Sequence, residues 1–477
     1  MSWPMKSAAW LLLSHFCADA SSSLSYPLFY LNCCITYAAH YIKGGVVLTV
    51  NSSEDIFPEG YVLIEGDTIK SIGALSEAPP DETVEKVIDA RDGLIMPGLI
   101  NTHTHAAMAC LRGLADDLPL ETWLNDYIFP VETHYVNPEF VYQGTLLAGL
   151  EMIRSGTTCF ADGYFFESEA MHAVSRSGLR AVLGQGILDL PTPDISSPDF
   201  SVKNGKTYLE RFAAGSLITP ALFCHSVYTC KPETLQKARD LCNAHKIPLL
   251  IHLAETETET REIMSRYGVT PVKHLLNLGV LEGETIAAHC VWISPEEYST
   301  LKEKKIKIAH CPESNMKLAS GVAPIPEFLN LGIPVGLGTD GCASNNNLDL
   351  FSEMDTAAKI HKLVKKDPSV MDAKTVVKMA TIGGAEVLGL KNKTGSLEPD
   401  KKADIIILDW KQPHLTPVYN YYSNLVYSAS GHDVQTVIVD GTVIMDNRRI
   451  LTVDEKEVIA EVEKISEEIK KERLNKL

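Results

Sequence analysis

Apolar and polar positions follow two distinct patterns along the chain. From residue 42 to residue 97, short apolar runs alternate with turn residues, and the same pattern returns near the other end in residues 403–409 and 434–444. Runs of this kind are typical of short strands joined by tight turns. Neither piece is large enough to bury a core alone. The sequence therefore predicts one small β-sandwich that both ends of the chain build together, from residues 42–97 and 395–450.

The residues between these ends, 98–394, alternate apolar strand candidates with helical stretches. One helical stretch, residues 138–154, opens with Asn137 as a cap and with Pro138 in its first turn. Eight strand-then-helix units in about 250 residues have the size and order of a (β/α)₈ barrel. The predicted fold class is therefore α/β, a TIM-like barrel that carries the small sandwich. The eight predicted strands are residues 96–105, 156–162, 180–187, 218–225, 247–255, 284–289, 305–310 and 333–340.

The N-terminal and C-terminal segments of the chain follow neither pattern. Residues 1–41 have the outline of a signal peptide, but Ser14 and His15 interrupt its short apolar run, so we expect an unstructured extension. No run is long enough for a transmembrane helix. At the other end, residues 451–477 place apolar side chains on one side of a charged helix. This amphipathic helix is expected to pack on the barrel or on a neighbouring subunit, as in a homo-oligomer.

Composition narrows the class of partner and the compartment. The chain of 477 residues is 45% hydrophobic and carries a formal net charge of -18. A charge of this sign argues against nucleic acid as a partner, because phosphate binding draws mainly on Lys and Arg. The eleven cysteines have no paired zinc-like spacing, and several lie inside strand candidates as small buried thiols. These features favour a reducing cytoplasm.

Side chains that bind metals stand at the C-terminal ends of several predicted strands. His103 and His105 lie two residues apart on one strand, so they point to the same side. His252 and Asp340 end two further apolar strands. In barrels of this kind the chemistry sits at these strand ends. Three imidazole nitrogens and one carboxylate, with a position left for water, suit zinc or a similar divalent ion in a catalytic site.

The segments that hold these residues resemble the amidohydrolase superfamily, from residue 42 to the end of the chain. Within that superfamily, the chain resembles the adenosine-type deaminases that act on 5'-methylthioadenosine and S-adenosylhomocysteine. Chlorohydrolase-like enzymes and guanine deaminases are neighbouring groups. The matching segments are residues 97–105, 251–256, 288–292, 310–315 and 338–346.

The residue types at these positions support one chemistry when they are taken on their own. A divalent metal lowers the pKa of bound water to about 7 and so provides a hydroxide at neutral pH. Asp340 can take the proton of the water. Glu255, three residues beyond His252, can donate a proton to a ring nitrogen of the substrate. His289 can hold the attacking hydroxide or the developing charge.

The resemblance further implies a set of substrate contacts. Trp123 is expected to line the pocket, Glu132 to accept from the ribose hydroxyls, and His225 to contact the nucleoside. Ser344, shortly after Asp340, and Gln185, on the third strand, are expected to bind the substrate as well. Glu255 and Asp340 belong to the same set of substrate contacts.

The resemblance also bears on the number of metal ions. Binuclear relatives bridge two ions with a carboxylated lysine at the end of the fourth strand, whereas here that strand ends in Cys224, His225 and Ser226. We therefore expect one ion per subunit, with Zn²⁺ favoured and Fe²⁺ or Mn²⁺ as alternatives for the same ligands. The missing lysine also weakens the competing hypothesis of a cyclic-amide hydrolase.

The favoured function is the hydrolytic deamination of an adenine nucleoside to its hypoxanthine counterpart with release of ammonia. A guanine, pterin or triazine ring is the alternative substrate, and a non-catalytic scaffold is the alternative of a different class. Glu132 favours a nucleoside. Relatives that handle S-adenosylhomocysteine well place arginines near the third and fourth strands, where this chain has Gln185 and residues 216–219. We therefore expect uncharged 5' groups to be processed at least as well as S-adenosylhomocysteine.

Overall fold

The structure is a computed structural model that describes residues 40–80, 86–212 and 217–476. The predicted extension therefore lies outside the described residues, except for its last two. In the described part, the strands form three sheets. The strands are β1 (His40–Lys43), β2 (Val46–Leu48), β3 (Ile56–Phe57), β4 (Gly60–Glu65), β5 (Thr68–Ala74), β6 (Lys86–Asp89), β7 (Gly93–Pro97), β8 (Leu99–Thr104), β9 (Thr157–Tyr164), β10 (Arg180–Ile187), β11 (Ile218–Cys224), β12 (Leu249–Leu253), β13 (Thr285–His289), β14 (Lys307–His310), β15 (Val335–Leu337), β16 (Ile405–Asp409), β17 (Val434–Val439), β18 (Thr442–Asp446) and β19 (Arg449–Ile450).

The helices fall mainly between the barrel strands, as the sequence predicts. Asn137 caps the predicted helix after β8, because its side chain accepts a 3.0 Å hydrogen bond from the backbone of Phe140, and Pro138 occupies the first turn. The helices are α1 (Leu120–Thr122), α2 (Phe129–Tyr135), α3 (Pro138–Arg154), α4 (Glu167–Ser177), α5 (Ser201–Glu210), α6 (Pro232–His245), α7 (Glu257–Tyr267), α8 (Pro271–Asn277), α9 (Tyr298–Glu303), α10 (Pro312–Lys317), α11 (Ile325–Asn330), α12 (Leu350–Lys365), α13 (Ala373–Lys378), α14 (Gly384–Val387), α15 (Tyr421–Tyr427) and α16 (Glu455–Lys476).

The largest sheet is the barrel. Strands β8 to β15 lie side by side in chain order, and each pairs in parallel with the next. The first and last strands meet where the Thr102 hydroxyl donates to the carbonyl of Leu337 at 2.9 Å. Just beyond, the Asp340 N–H donates to the carbonyl of His103 at 2.9 Å. The predicted TIM-like barrel is therefore confirmed.

Alternation along the barrel strands separates two apolar cores. Cys159 and Ala161 on β9 belong to a small cluster with Phe223 of β11, whereas Phe160 between them belongs to the large cluster that includes the helices. Successive side chains of a strand point to opposite faces, so one set fills the barrel and the other meets the helical layer. Both faces are thus covered, which explains why these strands are almost continuously apolar.

The other two sheets form the predicted sandwich. One contains β5, β4, β1 and β6, and the other runs β19, β18, β17, β16, β7, β2 and β3. The two ends of the chain join in the second sheet, where β7 pairs antiparallel with β16. Ile42, Val62 and Ile64 pack with Ile95 and Ile405 in the core between the sheets. Gly66 takes a positive φ of 66° in the turn from β4 to β5, as expected of a hairpin turn.

The C-terminal helix α16 lies against α3 of the same chain. Its Val458 and Val462 are buried, while Ile459 is 47% exposed, and Glu455 at its start pairs with Arg154 of α3. The apolar side of the tail therefore packs on the barrel, and a homo-oligomer stays a prediction. Among the described residues, none of the helices combines the length and the apolar character that a membrane span requires.

Candidate metal centre and active site

The four predicted metal ligands meet at one end of the barrel. One ligand atom from each of His103, His105, His252 and Asp340 lies within 4.8 Å of the other three. The Nε2 atoms of His103 and His252 are 3.1 Å apart. Oδ1 of Asp340 lies 3.3 Å from Nε2 of His105 and 3.5 Å from Nε2 of His103. Strands β8, β12 and β15 bring these atoms together because each ends at the same rim.

The chemistry of this donor set fits a divalent cation. Nδ1 of His105 donates to the carbonyl of Gly163 at 2.7 Å, which fixes the tautomer and leaves Nε2 free as a ligand. Burial lowers the pKa of His103 to about 4 and holds the pKa of His252 well below its ordinary value, so both rings are neutral. Three imidazole nitrogens and one carboxylate are a donor set that zinc accepts in catalytic sites. The described residues thus provide ligands for one divalent ion.

The carboxylate of Asp340 is held from two sides. Its Oδ2 accepts from the hydroxyls of Ser314 at 2.6 Å and Ser344 at 3.1 Å, and its Oδ1 accepts from the N–H of Gly341 at 2.8 Å. Burial alone would raise the pKa of Asp340, but the neighbouring imidazoles of His103 and His289 hold it well below its ordinary value. Asp340 is therefore ionised and fixed in one orientation.

Glu255 and His289 stand beside the metal ligands. Burial raises the pKa of Glu255, whose Oε2 lies 3.9 Å from Nε2 of His289. The same His289 nitrogen is 4.0 Å from Oδ2 of Asp340, while Nδ1 is 2.9 Å from Oδ1 of Asn315. Burial alone would lower the pKa of His289, but the two carboxylates raise it. The imidazole of His289 thus lies between a proton donor candidate and a proton acceptor candidate.

A cavity opens above these residues. Glu132, Glu255 and Asp340 supply its carboxylates, and His225 and Ser344 also line it. Of the described residues that line it, none is a lysine or an arginine. Much of the remaining wall is apolar, and it includes Leu120, Trp123, Leu124, Ile128, Phe129 and Leu188.

Three of the predicted substrate contacts are anchored by hydrogen bonds around this cavity. Trp123 is buried, and its indole N–H donates to the carbonyl of Ala115 at 3.1 Å. Glu132 accepts from the hydroxyl of Tyr164 at 2.6 Å. Nδ1 of His225 lies 3.0 Å from the hydroxyl of Thr229, and burial lowers the pKa of this histidine to about 3. Each side chain is therefore held in place before any ligand enters.

Gln185 is the exception among the predicted contacts, because it is not among the residues that line the cavity. Its Nε2 donates to Asp194 at 2.7 Å, and its Oε1 accepts from the N–H of Glu167 at 3.3 Å. Its neighbour Gly186 does line the cavity. Consecutive residues of a strand face opposite ways, so Gln185 points away from the site. The expectation that Gln185 contacts the substrate is therefore corrected.

Residues 94–444 match the family model described as the amidohydrolase family. The chain belongs to this family. It is 44% identical over 429 residues to "5-methylthioadenosine/S-adenosylhomocysteine deaminase 1" of Syntrophus aciditrophicus, a match that covers 90% of this chain and 97% of the relative. It is 46% identical over 430 residues to "5'-deoxyadenosine deaminase" of Methanosarcina mazei, with 90% and 98% covered.

This amidohydrolase is also similar to a solved structure. A crystal structure of an adenosine deaminase from Xanthomonas campestris with bound zinc has a TM-score of 0.88 and 34% sequence identity. The match covers 91% of this chain and 99% of that one. The predicted family is confirmed by these findings, and zinc in a similar structure agrees with the ligand group described above.

Several residues at the site were not predicted from the sequence. Ser314 and Asn315, which contact Asp340 and His289, lie inside a segment that the resemblance singles out, so their position was the available signal. Tyr164 lies just past the predicted end of a barrel strand, and strand β9 in fact extends to include it. Ser320 is 3.4 Å from Oε1 of Glu255 but lies in a loop without any sequence signal.

Proposed function

We propose that this amidohydrolase is a metal-dependent deaminase of adenosine-type nucleosides. It converts 5'-methylthioadenosine, S-adenosylhomocysteine, 5'-deoxyadenosine or adenosine, with water, to the inosine analogue and ammonia. The observation that carries the proposal is the convergence of His103, His105, His252 and Asp340 on one point beside Glu255. The names of the relatives support the nucleoside as the substrate class.

The metal and the nucleophile come first in this proposal. His103, His105, His252 and Asp340 would hold one divalent ion, with Zn²⁺ favoured. A bound divalent ion supplies hydroxide at neutral pH by lowering the pKa of a water molecule to about 7. Asp340 would accept the proton of the attacking water on its carboxylate, and the hydrogen bonds from Ser314 and Ser344 keep its Oδ2 in place for this task.

Glu255 supplies the proton for the ring in this proposal. Burial raises its pKa, which favours the protonated carboxyl over the carboxylate relative to a solvent-exposed glutamate. It donates that proton to the ring nitrogen next to the amino-bearing carbon, which makes this carbon electrophilic. Hydroxide then adds to the carbon, and the amino group accepts the proton held by Asp340 and leaves as ammonia. The hydroxyl on the attacked carbon returns its proton to Glu255 and becomes the carbonyl of the hypoxanthine ring.

His289 orients the attacking oxygen between the two carboxylates. Its Nε2 faces both Glu255 and Asp340, and its Nδ1 is fixed by Asn315. A ring so held can donate to the hydroxide or to the charge that develops on the attacked carbon's oxygen. Its contribution is therefore to orientation and charge stabilisation, as distinct from proton transfer to the purine.

The nucleoside lies in the cavity with its base towards the metal ligands. Glu132 accepts from the ribose hydroxyls, Trp123 packs against the nucleoside, and His225 and Ser344 contact its polar edges. The apolar wall that includes Leu120 and Leu188 remains for the 5' group. A carboxylate is well suited to two neighbouring hydroxyls because it offers two acceptor oxygens.

The test is the ultraviolet change from adenine to hypoxanthine on a panel of purified substrates. Zinc-loaded protein should convert adenosine, 5'-deoxyadenosine and 5'-methylthioadenosine. Guanine, a pterin and a triazine serve as the comparison substrates. Turnover of one of these rings without turnover of any adenosine would overturn the proposal. A correctly folded sample that binds no metal would instead favour a non-catalytic scaffold.

We also infer a reducing compartment, the cytoplasm. The eight cysteines in the described part of the chain are all buried and free. Buried thiols of this kind have no structural need for an oxidising environment. Fractionation of cells that produce the full chain is the test, and recovery of the enzyme from a secreted or membrane fraction would contradict this inference.

A further inference from the structure

The carboxylate of Glu259 accepts hydrogen bonds from the turn that carries Glu255. Glu259 lies in the first turn of helix α7 and is only 4% exposed. Its Oε1 accepts from the N–H of Ala254 at 3.1 Å, and its Oε2 accepts from the N–H of Glu255 at 2.8 Å. The two oxygens therefore accept from two consecutive backbone N–H groups, and one of these groups belongs to Glu255 itself.

This arrangement differs from ordinary helix capping. Thr256 is the cap of α7, and its hydroxyl accepts from the N–H of Glu259 at 3.1 Å. A glutamate at this third helical position usually reaches back to the N–H of the cap residue. Glu259 instead reaches past Thr256 to the two residues before it. Its carboxylate thus serves the end of strand β12 in addition to the helix.

The turn held by Glu259 has an unusual backbone. Ala254 has a φ of 49°, in the left-handed region that residues with a side chain seldom adopt. This conformation directs adjacent N–H groups towards a single anion. On its other side, the carbonyl of Ala254 accepts from the N–H of Trp292 at 2.8 Å. Hydrogen bonds therefore fix the turn on both sides, and on the side of α7 the acceptor is the Glu259 carboxylate.

The direction of the Glu255 side chain follows from the hydrogen bonds that fix this turn. The backbone of a residue fixes where its Cβ points, and from there the Glu255 carboxyl reaches the cavity beside His289. We propose that Glu259 is a positioning residue that acts through Glu255 and holds its carboxyl at the reacting ring. This inference rests on the proposed function, in which Glu255 is the proton donor.

Glu259→Gln is the direct test, with Glu257→Gln as its control. The amide turns one acceptor into a donor that faces a backbone N–H. Because a displacement of about 1 Å in a catalytic group can cost about 10²-fold in rate, kcat for adenosine should fall on the order of 10²-fold while KM changes little. Glu257 lies in the same helical turn but is exposed, so the same substitution there should leave kcat within about 2-fold of wild type.

A double-mutant cycle separates positioning from general damage. If Glu259 acts only through Glu255, then Glu259→Gln should cost little more in a chain that already carries Glu255→Gln. Metal content should stay the same in all variants. If Glu259→Gln does not fold, Glu259→Asp provides the same cycle, since the shorter side chain loses reach but keeps the charge. Factors that multiply in the double variant, or wild-type kcat in Glu259→Gln, would overturn the inference.

The same experiment distinguishes this inference from the function beneath it. Failure of both the wild type and Glu257→Gln to deaminate adenosine, 5'-deoxyadenosine and 5'-methylthioadenosine would overturn the proposed function, and this inference with it. An active wild type with an unimpaired Glu255→Gln would remove Glu255 as proton donor and would likewise overturn the role of Glu259. An active wild type with an impaired Glu255→Gln leaves the cycle alone to decide on Glu259.

Discussion

The phenolic hydroxyl of Tyr164 donates a 2.6 Å hydrogen bond to Oε1 of Glu132. Both side chains are buried, and both line the cavity. Burial raises the pKa of Glu132 to about 7, and the hydrogen bond from Tyr164 counteracts part of that rise. Tyr164 therefore orients the carboxylate that we propose for the ribose and favours its ionised form.

Tyr164→Phe should weaken the binding of a ribose diol and leave the chemistry intact. A hydrogen bond to a charged group contributes about 1.5–3 kcal/mol, so KM for adenosine should rise by about 10-fold or more, with little change in kcat. The measurement is steady-state kinetics on adenosine and on 2',3'-dideoxyadenosine, which lacks the diol. An equal rise in KM for both substrates would remove Tyr164 and Glu132 from ribose recognition.

The pKa of Glu132 predicts a pH dependence. The carboxylate is ionised above about pH 7, and below that pH it gains a proton and loses acceptor capacity. The ratio kcat/KM for adenosine should therefore fall as the pH drops through this range. In Tyr164→Phe this acidic limb of the pH profile, where kcat/KM falls, should move to higher pH. The lost hydrogen bond was lowering the pKa of Glu132. A limb that does not move in this variant would assign the titration to another group.

Asp340→Asn should abolish turnover in a folded protein. The substitution keeps the size of the side chain and its contacts to Ser314 and Ser344, but it removes a charged ligand and the proton acceptor. Activity should fall to background, and the circular dichroism spectrum should match that of the wild type. Near-normal activity in this variant would exclude Asp340 from the mechanism.

Glu255→Gln should lower kcat without loss of metal. A general acid contributes about 10²–10⁴-fold, and the amide cannot supply the proton. Metal analysis and kcat for adenosine are the two readouts, because His252 lies on the same strand end and would register any wider distortion. An effect on KM alone would make Glu255 a binding residue.

The wall of the cavity predicts a preference at the 5' position. Arg180, the arginine on the third barrel strand, is paired with Asp404 and Asp440 at 2.8 Å each, and Gln185 points away from the site. A carboxylate on the substrate thus lacks a cationic partner among the described lining residues. We expect kcat/KM for 5'-methylthioadenosine to equal or exceed that for S-adenosylhomocysteine, by up to about 10²-fold. An analogue of S-adenosylhomocysteine without its carboxylate is the matched control.

If S-adenosylhomocysteine is strongly preferred over both 5'-methylthioadenosine and the analogue without a carboxylate, the prediction at the 5' position is wrong. Such a result would mean that a residue outside the described cavity lining binds the carboxylate. Equal values for S-adenosylhomocysteine and the analogue would instead show that the carboxylate stays in solvent, as the absence of Lys and Arg from the described cavity lining predicts.

The barrel and the convergence of the four candidate metal ligands could be predicted from the sequence for a simple reason. Alternation has a period of two in strands, so apolar runs that end in His103, His252 and Asp340 define both the fold and the rim. The same alternation explains the error at Gln185, since a shift of one residue turns a side chain to the opposite face. The sandwich was predicted only in outline, because short edge strands such as β3 and β6 contain few residues to carry a pattern.

The contacts that orient the site could not be predicted from the pattern. Tyr164 and Glu132 are 32 positions apart, and nothing in either segment indicates that the two meet. Glu259 resembles an ordinary solvated glutamate among Glu255 and Glu257, and only the left-handed turn at Ala254 brings its carboxylate to the backbone. Such contacts depend on the path of the backbone between elements, which is the part of a fold that periodicity does not describe.

Product analysis tests the central claim most directly. Zinc-loaded protein is incubated with 5'-deoxyadenosine, and both the nucleoside product and free ammonia are quantified, before and after removal of the metal by a chelator and its return. The account predicts one equivalent each of 5'-deoxyinosine and ammonia, lost on chelation and restored by zinc. Intact 5'-deoxyadenosine, release of free adenine, or turnover that chelation does not affect would contradict it.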